Sequence, residues 1–240
     1  MRAAHKWSTK LHKWIALVVG MQLLVWTVSG LFMTLFPIEA VRGEHLVHEE
    51  PPLRAERPFV MPDFGGAPVT GLELRSVGGE PVLVIMHPAR TMMHDPWTGA
   101  HIASPDRDAI IAGAEAAYRG SGAVEDARLI ESDPPGEYRG PLPVWQVAFD
   151  DPARLRLYLD PVTGEVITRR TRLWRVYDFM WMLHIMDYDE REDFNNWLLR
   201  IAASLGVAVA LSGAVLLGYR ILGPAARRRR HRSMASPAPR

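Results

Sequence analysis

The 240-residue chain contains no cysteine, which removes disulfides, thiolate metal sites and thiolate-held iron–sulfur clusters together. It also lacks a glycine-rich phosphate loop, a His-Glu-x-x-His zinc motif, a Ser-His-Asp arrangement and any dinucleotide or flavin fingerprint. Ser29-Gly30 and Ser212-Gly213 lie inside apolar runs without acid–base partners, which argues against hydrolase chemistry. Net charge is only +1, so there is no overall excess of one sign to attract nucleic acid, and none is expected as a partner. Any redox chemistry must use a cofactor that needs no thiolate.

What is present is a pair of long apolar runs, Trp14 to Phe36 and Leu198 to Leu222, the second with Arg200 and Arg220 only near its ends. Each meets the length of about 20 apolar residues needed to cross hydrocarbon. The Ile38-Glu39-Ala40 segment faintly resembles a signal-peptide cleavage site, but the first run is too long for an h-region and a bulky Ile replaces a small residue, so a retained anchor is expected. Arg2, Lys6, Lys10 and Lys13 precede the first run, and Arg220 with Arg227, Arg228, Arg229, Arg230 and Arg232 follows the second. Basic residues near a span stay on the cytoplasmic side, so both termini are expected there. The acidic flanks, Glu39 and Glu44 and then Asp187, Asp189, Glu190, Glu192 and Asp193, suit the external face.

The chain then divides into a basic N-terminus (1–13), a first span (14–36), a Pro- and Glu-rich linker (37–68), an external α+β domain (69–172), an amphipathic interfacial helix (173–188), a second span (198–222) and a basic tail (223–240). Strands are expected at Leu72-Glu-Leu-Arg-Ser-Val and Pro81-Val-Leu-Val-Ile-Met, and a helix from Asp106 to about Arg119, ending before Gly120. The stretch from His87 to Ile102 resembles that from Asp151 to Ile167 with one residue of slippage. Both read as a strand, a Pro-Ala-Arg turn, a strand, an Asp-Pro-x-Thr-Gly turn and a further strand, which implies two similar half-modules. Asp95 and Asp160 are expected to hold their turns by bonding the following backbone, with Gly99 and Gly164 supplying permissive dihedrals.

The Asp-Pro-x-Thr-Gly-x-Val turn after Arg156-Leu-Tyr-Leu resembles the end of a PepSY module. The opening Leu11-His-Lys-Trp-Ile-Ala-Leu and the later Tyr177-Asp-Phe-Met-Trp-Met-Leu-His-Ile-Met-Asp-Tyr resemble the PepSY-associated transmembrane helix family. The resemblance covers nearly the whole chain apart from the linker and the basic tail. It implies an α+β fold with two transmembrane helices, an external duplicated PepSY-like domain and an interfacial helix, set in a Gram-negative inner membrane. Because the family includes siderophore-iron reductases carrying b-type haem, it also implies haem b as a cofactor and a ferric siderophore as a possible acceptor.

Haem iron takes His as an axial ligand. His12 sits at the cytoplasmic start of the first span, with His5 seven residues earlier on the same helical face, and His184 belongs to the external side. Crossing the first span separates His12 from the far face by roughly 35 Å, so His12 and His184 do not share one iron. A homodimer resolves this by pairing each with its symmetry mate. Interfacial His residues also simply anchor helix ends. Asp187 would orient the His184 imidazole or end its helix, while Trp174 and Trp181 read as interfacial anchors. His45 and His48 read as solvated, and His231 as part of the basic tail.

Ala202, Gly206, Ala210, Ala214 and Gly218 form a small-residue stripe suited to close packing, either in a dimer or against the chain's own first span. Met86, His87, Met92, Met93, His94 and His101 offer Cu(I)-type donors, but alternation puts Met92 and His94 on one face and Met93 on the other, and a structural role is expected for them. The leading expectation is haem-dependent electron transfer to an external ferric chelate or similar metal, fed by a quinol or a redox partner protein. The alternative is a non-enzymatic envelope protein whose PepSY domain binds a peptide, a protein or a metal.

Overall fold

The computed structural model describes residues 2–48, 53, 57–211, 213 and 214, with side chains from Trp14 onward apart from Ile15. In chain order the elements are α1 Arg2–Thr34, α2 Ile38–Arg42, a 3-10 turn Glu44–Leu46, β1 Gly71–Val77, β2 Glu80–His87, β3 Arg90–His94, β4 His101–Ile102, α3 Arg107–Ala117, β5 Ala123–Ile130, β6 Val144–Asp150, β7 Arg156–Leu159, β8 Val166–Arg170 and α4 Arg172–Ile185. A further apolar helix, α5, runs over Trp197–Leu211. The fold is α+β and forms two compact units, Phe36–Tyr177 on one side and Met1–Leu35 with Asp178–Arg240 on the other.

The first unit holds two four-stranded antiparallel sheets, β1-β2-β3-β4 and β5-β6-β7-β8, each a meander in chain order. Turn chemistry explains why each meander closes in the same way. Asp95 Oδ1 accepts the N–H groups of Trp97 and Thr98, and Asp160 Oδ1 accepts those of Val162 and Thr163. Gly99 and Gly164 take φ of 72° and 75°, left-handed conformations that cost any residue with a Cβ roughly 1–2 kcal/mol. The bonds to the following backbone N–H groups, from Trp97 first, also hold the exposed Asp95 carboxyl below the usual carboxylate range. Both aspartates are therefore structural.

Helix α3 begins where the sequence places it. Asp106 caps it by accepting the Ala109 N–H at 2.9 Å, and Ile110 and Ala114, one turn apart, are buried. They pack on Val147, Phe149, Leu155, Leu157 and Leu159 to form the main core, because alternate residues of β6 and β7 face the helix. The segment expected as a plain linker from 37 to 68 is more ordered at its start. Val41 and Val47 are buried, and Val47 bridges to Tyr118 in the strand sense and joins the core. Its sequence is too short and too charged for a periodic signal, and Gly43 is buried between the two valines while Leu46 packs against the core.

The opposite face of the second sheet is closed by a polar network with no counterpart in the sequence reading. Glu137, with 9% of its side chain exposed, accepts bonds from Tyr158 Oη at 2.8 Å and Arg156 at 2.9 Å, and pairs with Arg175. Gln146 donates to Tyr158 at 2.6 Å, and the rings of Tyr138 and Tyr158 stack at 4.5 Å. Burial works to raise the Glu137 carboxyl, but the bonds from Arg175, Tyr158 and Arg156 together outweigh it and hold the group below its ordinary value. Burial first, and then the Glu137 bond, push the Tyr158 phenol well up.

The second unit contains α1, whose 33 residues span about 50 Å. Its Ala16–Thr34 stretch is long and apolar enough to cross a membrane, and no other helix among the described residues meets both criteria. The expected second span, 198 to 222, is represented by α5, and its remainder beyond 214 lies outside the described residues. Gly206 is buried, and a Cβ there would lie 3.6 Å from Leu23 of α1. Ala210 and Ala214 are exposed. One part of the small-residue stripe thus packs against the chain's own first span.

Glu137→Ala should destabilise the first unit by roughly 2–3 kcal/mol, toward the low end for a broken buried pair because Arg156 and Arg175 retain some access to water. Since the folded Glu137 is more acidic than the ordinary glutamate, its contribution is complete above about pH 4.3 and is lost as pH falls through the lowered folded value. Urea unfolding followed against pH in wild type, Glu137→Ala and Glu137→Gln checks this. An acid limb of equal steepness in all three would show that Glu137 is not its source.

Candidate functional site

His184 stands in the last turn of α4, and the structure brings it to α1. Its Nδ1 lies 3.1 Å from the hydroxyl of Ser29. The ring also faces Gly30, where a Cβ would come within 3.3 Å of its Cε1. A side chain at position 30 would therefore press on the imidazole, which is why glycine matters here.

The direction of the Ser29 bond follows from counting protons. A hydroxyl has one proton and two lone pairs. The Ser29 hydroxyl is directed at the Val25 carbonyl at 2.7 Å, with the Trp26 carbonyl at 3.2 Å, the usual bond of a serine to the preceding helical turn. It can then only accept from the imidazole, so the His184 proton sits on Nδ1 and the lone pair on Nε2. Among the described residues nothing bonds to that Nε2. One ring nitrogen is thus anchored and the other free.

The end of α4 is held from several directions. Asp178, buried, pairs with Arg191, while the Arg191 carbonyl accepts the Trp181 indole N–H at 3.0 Å. Asn196 donates to the Ile185 carbonyl at 3.0 Å and caps α5 by accepting the Leu199 N–H at 2.8 Å. Asp187 accepts the backbone N–H groups of Asp193, Glu192 and Asp189, and these bonds, Asp193 first, hold its carboxyl below the ordinary range. Asp187 thus organises the loop after α4 and does not orient the imidazole. Ser29 does that, a role the sequence reading missed because it gave this serine no acid–base partner.

His12 and His5 fall on α1, and their side chains lie outside the described residues. His12 is seventeen residues before Ser29 on one continuous helix, about 26 Å along the axis. The structure therefore does not bring His12 and His184 together within one chain. His45 and His48 are exposed.

In the first unit, Met93 is a core residue beside Val82 and Val84. His94, 8% exposed, bonds the Gly99 carbonyl through Nδ1 at 3.1 Å. Its Nε2 is buried without a partner, and the His101 ring lies 5.5 Å away, edge-on. Alternation separates Met93 from these two imidazoles, as the sequence anticipated. Among the described residues no group of three or more His, Asp or Glu side chains converges as a metal site.

The family model described as PepSY-associated TM region matches residues 9–235. No curated protein and no solved structure matches the chain.

Ser29→Ala should remove the acceptor that fixes the His184 tautomer, costing about 1 kcal/mol and letting the proton distribute between the two ring nitrogens. Nitrogen-15 NMR of histidine-labelled protein reads this directly, with the wild type showing the Nδ1–H form. A wild-type His184 in the Nε2–H form would overturn the assignment.

Proposed function

The chain belongs to the PepSY-associated TM region family and is a membrane protein, and from that premise we propose that it carries electrons across an inner membrane through b-type haem to an external ferric chelate or other metal acceptor. The observation that carries this reading is the free Nε2 of His184, with Nδ1 tied to Ser29. The donor set fits the group: one imidazole lone pair is available, its ring is oriented by a second residue, and Gly30 lets that ring sit close against α1. A haem bound there would supply a one-electron carrier.

In this reading His184 pairs with its mate in a homodimer near the external face, and His12, with His5 behind it, pairs near the cytoplasmic face. Ser29 keeps the proton on Nδ1 so that Nε2 remains a donor. Two spans, 14–36 and 198–222, place both termini in the cytoplasm and the sheets in the periplasm, where they act as two PepSY-like halves. The identical bonding of the Asp95 and Asp160 turns supports that duplication. Electrons would come from a quinol or a partner protein, and a ferric siderophore is the acceptor class the family suggests.

One observation favours the non-enzymatic alternative. The buried, unpartnered Nε2 of His94 beside His101 suits a soft metal held by the external domain, with the spans serving only as anchors.

Detergent-purified protein, expressed with ample haem, should show a Soret band that sharpens and shifts on dithionite reduction, with roughly one haem per chain. His184→Ala should lose it. A clean spectrum would sink the electron-transfer reading, and Cu(I) binding abolished by His94→Ala would then support the anchored binding module.

A further inference from the structure

The second unit contains a cavity of about 190 Å³ between α1 and α5, walled by Val19, Leu23, Ile201, Ala202 and Leu205, with Met186 closing one side. Two polar groups interrupt this lining. Gln22 and Trp26 both border the cavity, and the Gln22 amide nitrogen and the Trp26 indole nitrogen are buried without a hydrogen-bond partner among the described residues. They are four residues apart on one helix, so they occupy one face a single turn apart. The facing part of α5 offers only apolar side chains to them. Two unmet donors on residues that border one apolar cavity call for a ligand that accepts hydrogen bonds and otherwise dissolves in hydrocarbon.

Depth narrows the ligand class. On the Ala16–Thr34 stretch, Gln22 lies about 9 Å from one end and Trp26 about 12 Å from the other, which puts both well inside a hydrocarbon core of about 30 Å. Phospholipid ester carbonyls belong to the interfacial layers outside that core. Water is disfavoured in a cavity whose walls are almost wholly apolar. Volume narrows it again, because pockets that enclose a drug-sized molecule run from roughly 300 to 1,000 Å³, and this one suits a small ring whose tail remains in the lipid.

We propose that this cavity binds the headgroup of a membrane quinone, with its ring carbonyls accepting from Gln22 and Trp26. A quinone ring presents acceptors at its edge, carries no donor of its own when oxidised, and reaches mid-membrane depth on its isoprenoid tail. The site stands independently of haem, since it rests on the cavity and its two donors.

The test uses the full-length protein in phosphatidylcholine nanodiscs titrated with decyl-ubiquinone, with tryptophan quenching as readout and empty-pocket partitioning removed by its linear dependence on quinone. Wild type should show a saturable component. Gln22→Leu and Trp26→Phe should each weaken it about tenfold, the loss expected of one hydrogen bond. Ala202→Leu, which fills the cavity and leaves both donors in place, should remove it. Bound quinone counted in lipid extracts of the same variants gives a readout that does not depend on Trp26. A wild-type titration without saturation would overturn the proposal. So would saturation equal in all variants, or loss of dimer in Gln22→Leu with an unchanged titration, which would assign the donors to a helix–helix contact.

Discussion

A hydrogen-bonding group in hydrocarbon has no water to turn to, and an unmet one costs several kcal/mol. The polar side chains of α1 differ in how they meet that constraint. Thr27 and Thr34 return their hydroxyl protons to carbonyls three or four residues earlier and so fall silent. Ser29 does the same, but its second capacity, as an acceptor, is taken up by His184. The constraint thus fixes the tautomer of an imidazole on a different helix. Gln22 and Trp26 have no carbonyl to turn to and remain open. One rule therefore divides the polar positions of a single helix into satisfied, coupled and unsatisfied ones.

The sheet unit obeys the same rule by another route. Glu137 is buried with partners enough to stay ionised: two arginines and a phenol converge on it. The phenol is itself held by Gln146, which in turn accepts from Arg128 at 3.0 Å. A network satisfied at every member rigidifies a face and leaves nothing over for a substrate. Glu137 is accordingly structural in spite of its burial and altered acidity. The contrast with α1 separates polar groups that finish a fold from those that wait for a ligand.

What the sequence made legible was local. The Asp-Pro-x-Thr-Gly turns write their own hydrogen bonds, since an aspartate reaching two residues ahead and a glycine at positive φ need no tertiary support. Helix α3 carried its cap at Asp106 and its buried pair at Ile110 and Ala114 in one short stretch. The apolar stretch of α1 was equally plain. Contacts between distant positions were not legible. Ser29 and His184 are 155 residues apart, and no periodicity links them. Glu137 sits in an aperiodic loop whose burial depends on strands on either side of it in the chain. Asp187 was open to two readings, orienting His184 or ending its helix, because adjacency in sequence could not show that its carboxylate is filled by the backbone N–H groups of Asp189, Glu192 and Asp193.

His87, His94 and His184 arrive at one state by two means, a backbone carbonyl or a hydroxyl. His87 gives its Nδ1 bond to the Pro68 carbonyl at 2.9 Å, His94 to the Gly99 carbonyl and His184 to a serine hydroxyl whose own proton is committed elsewhere. Each therefore keeps its lone pair on Nε2. A free lone pair is necessary for ligation but does not by itself make a site, because a metal needs further donors. His87 stands at the end of β2, and among the described residues no metal-holding cluster includes it. His94 has His101 at its edge and would need more than those two rings. His184 differs in that its helix end is fixed by an ion pair, an indole bond and an asparagine cap at once. A ligand position gains most from such fixing, since the ordering cost is met by folding and not by binding. A two-fold symmetry axis would double that one prepared donor into a pair.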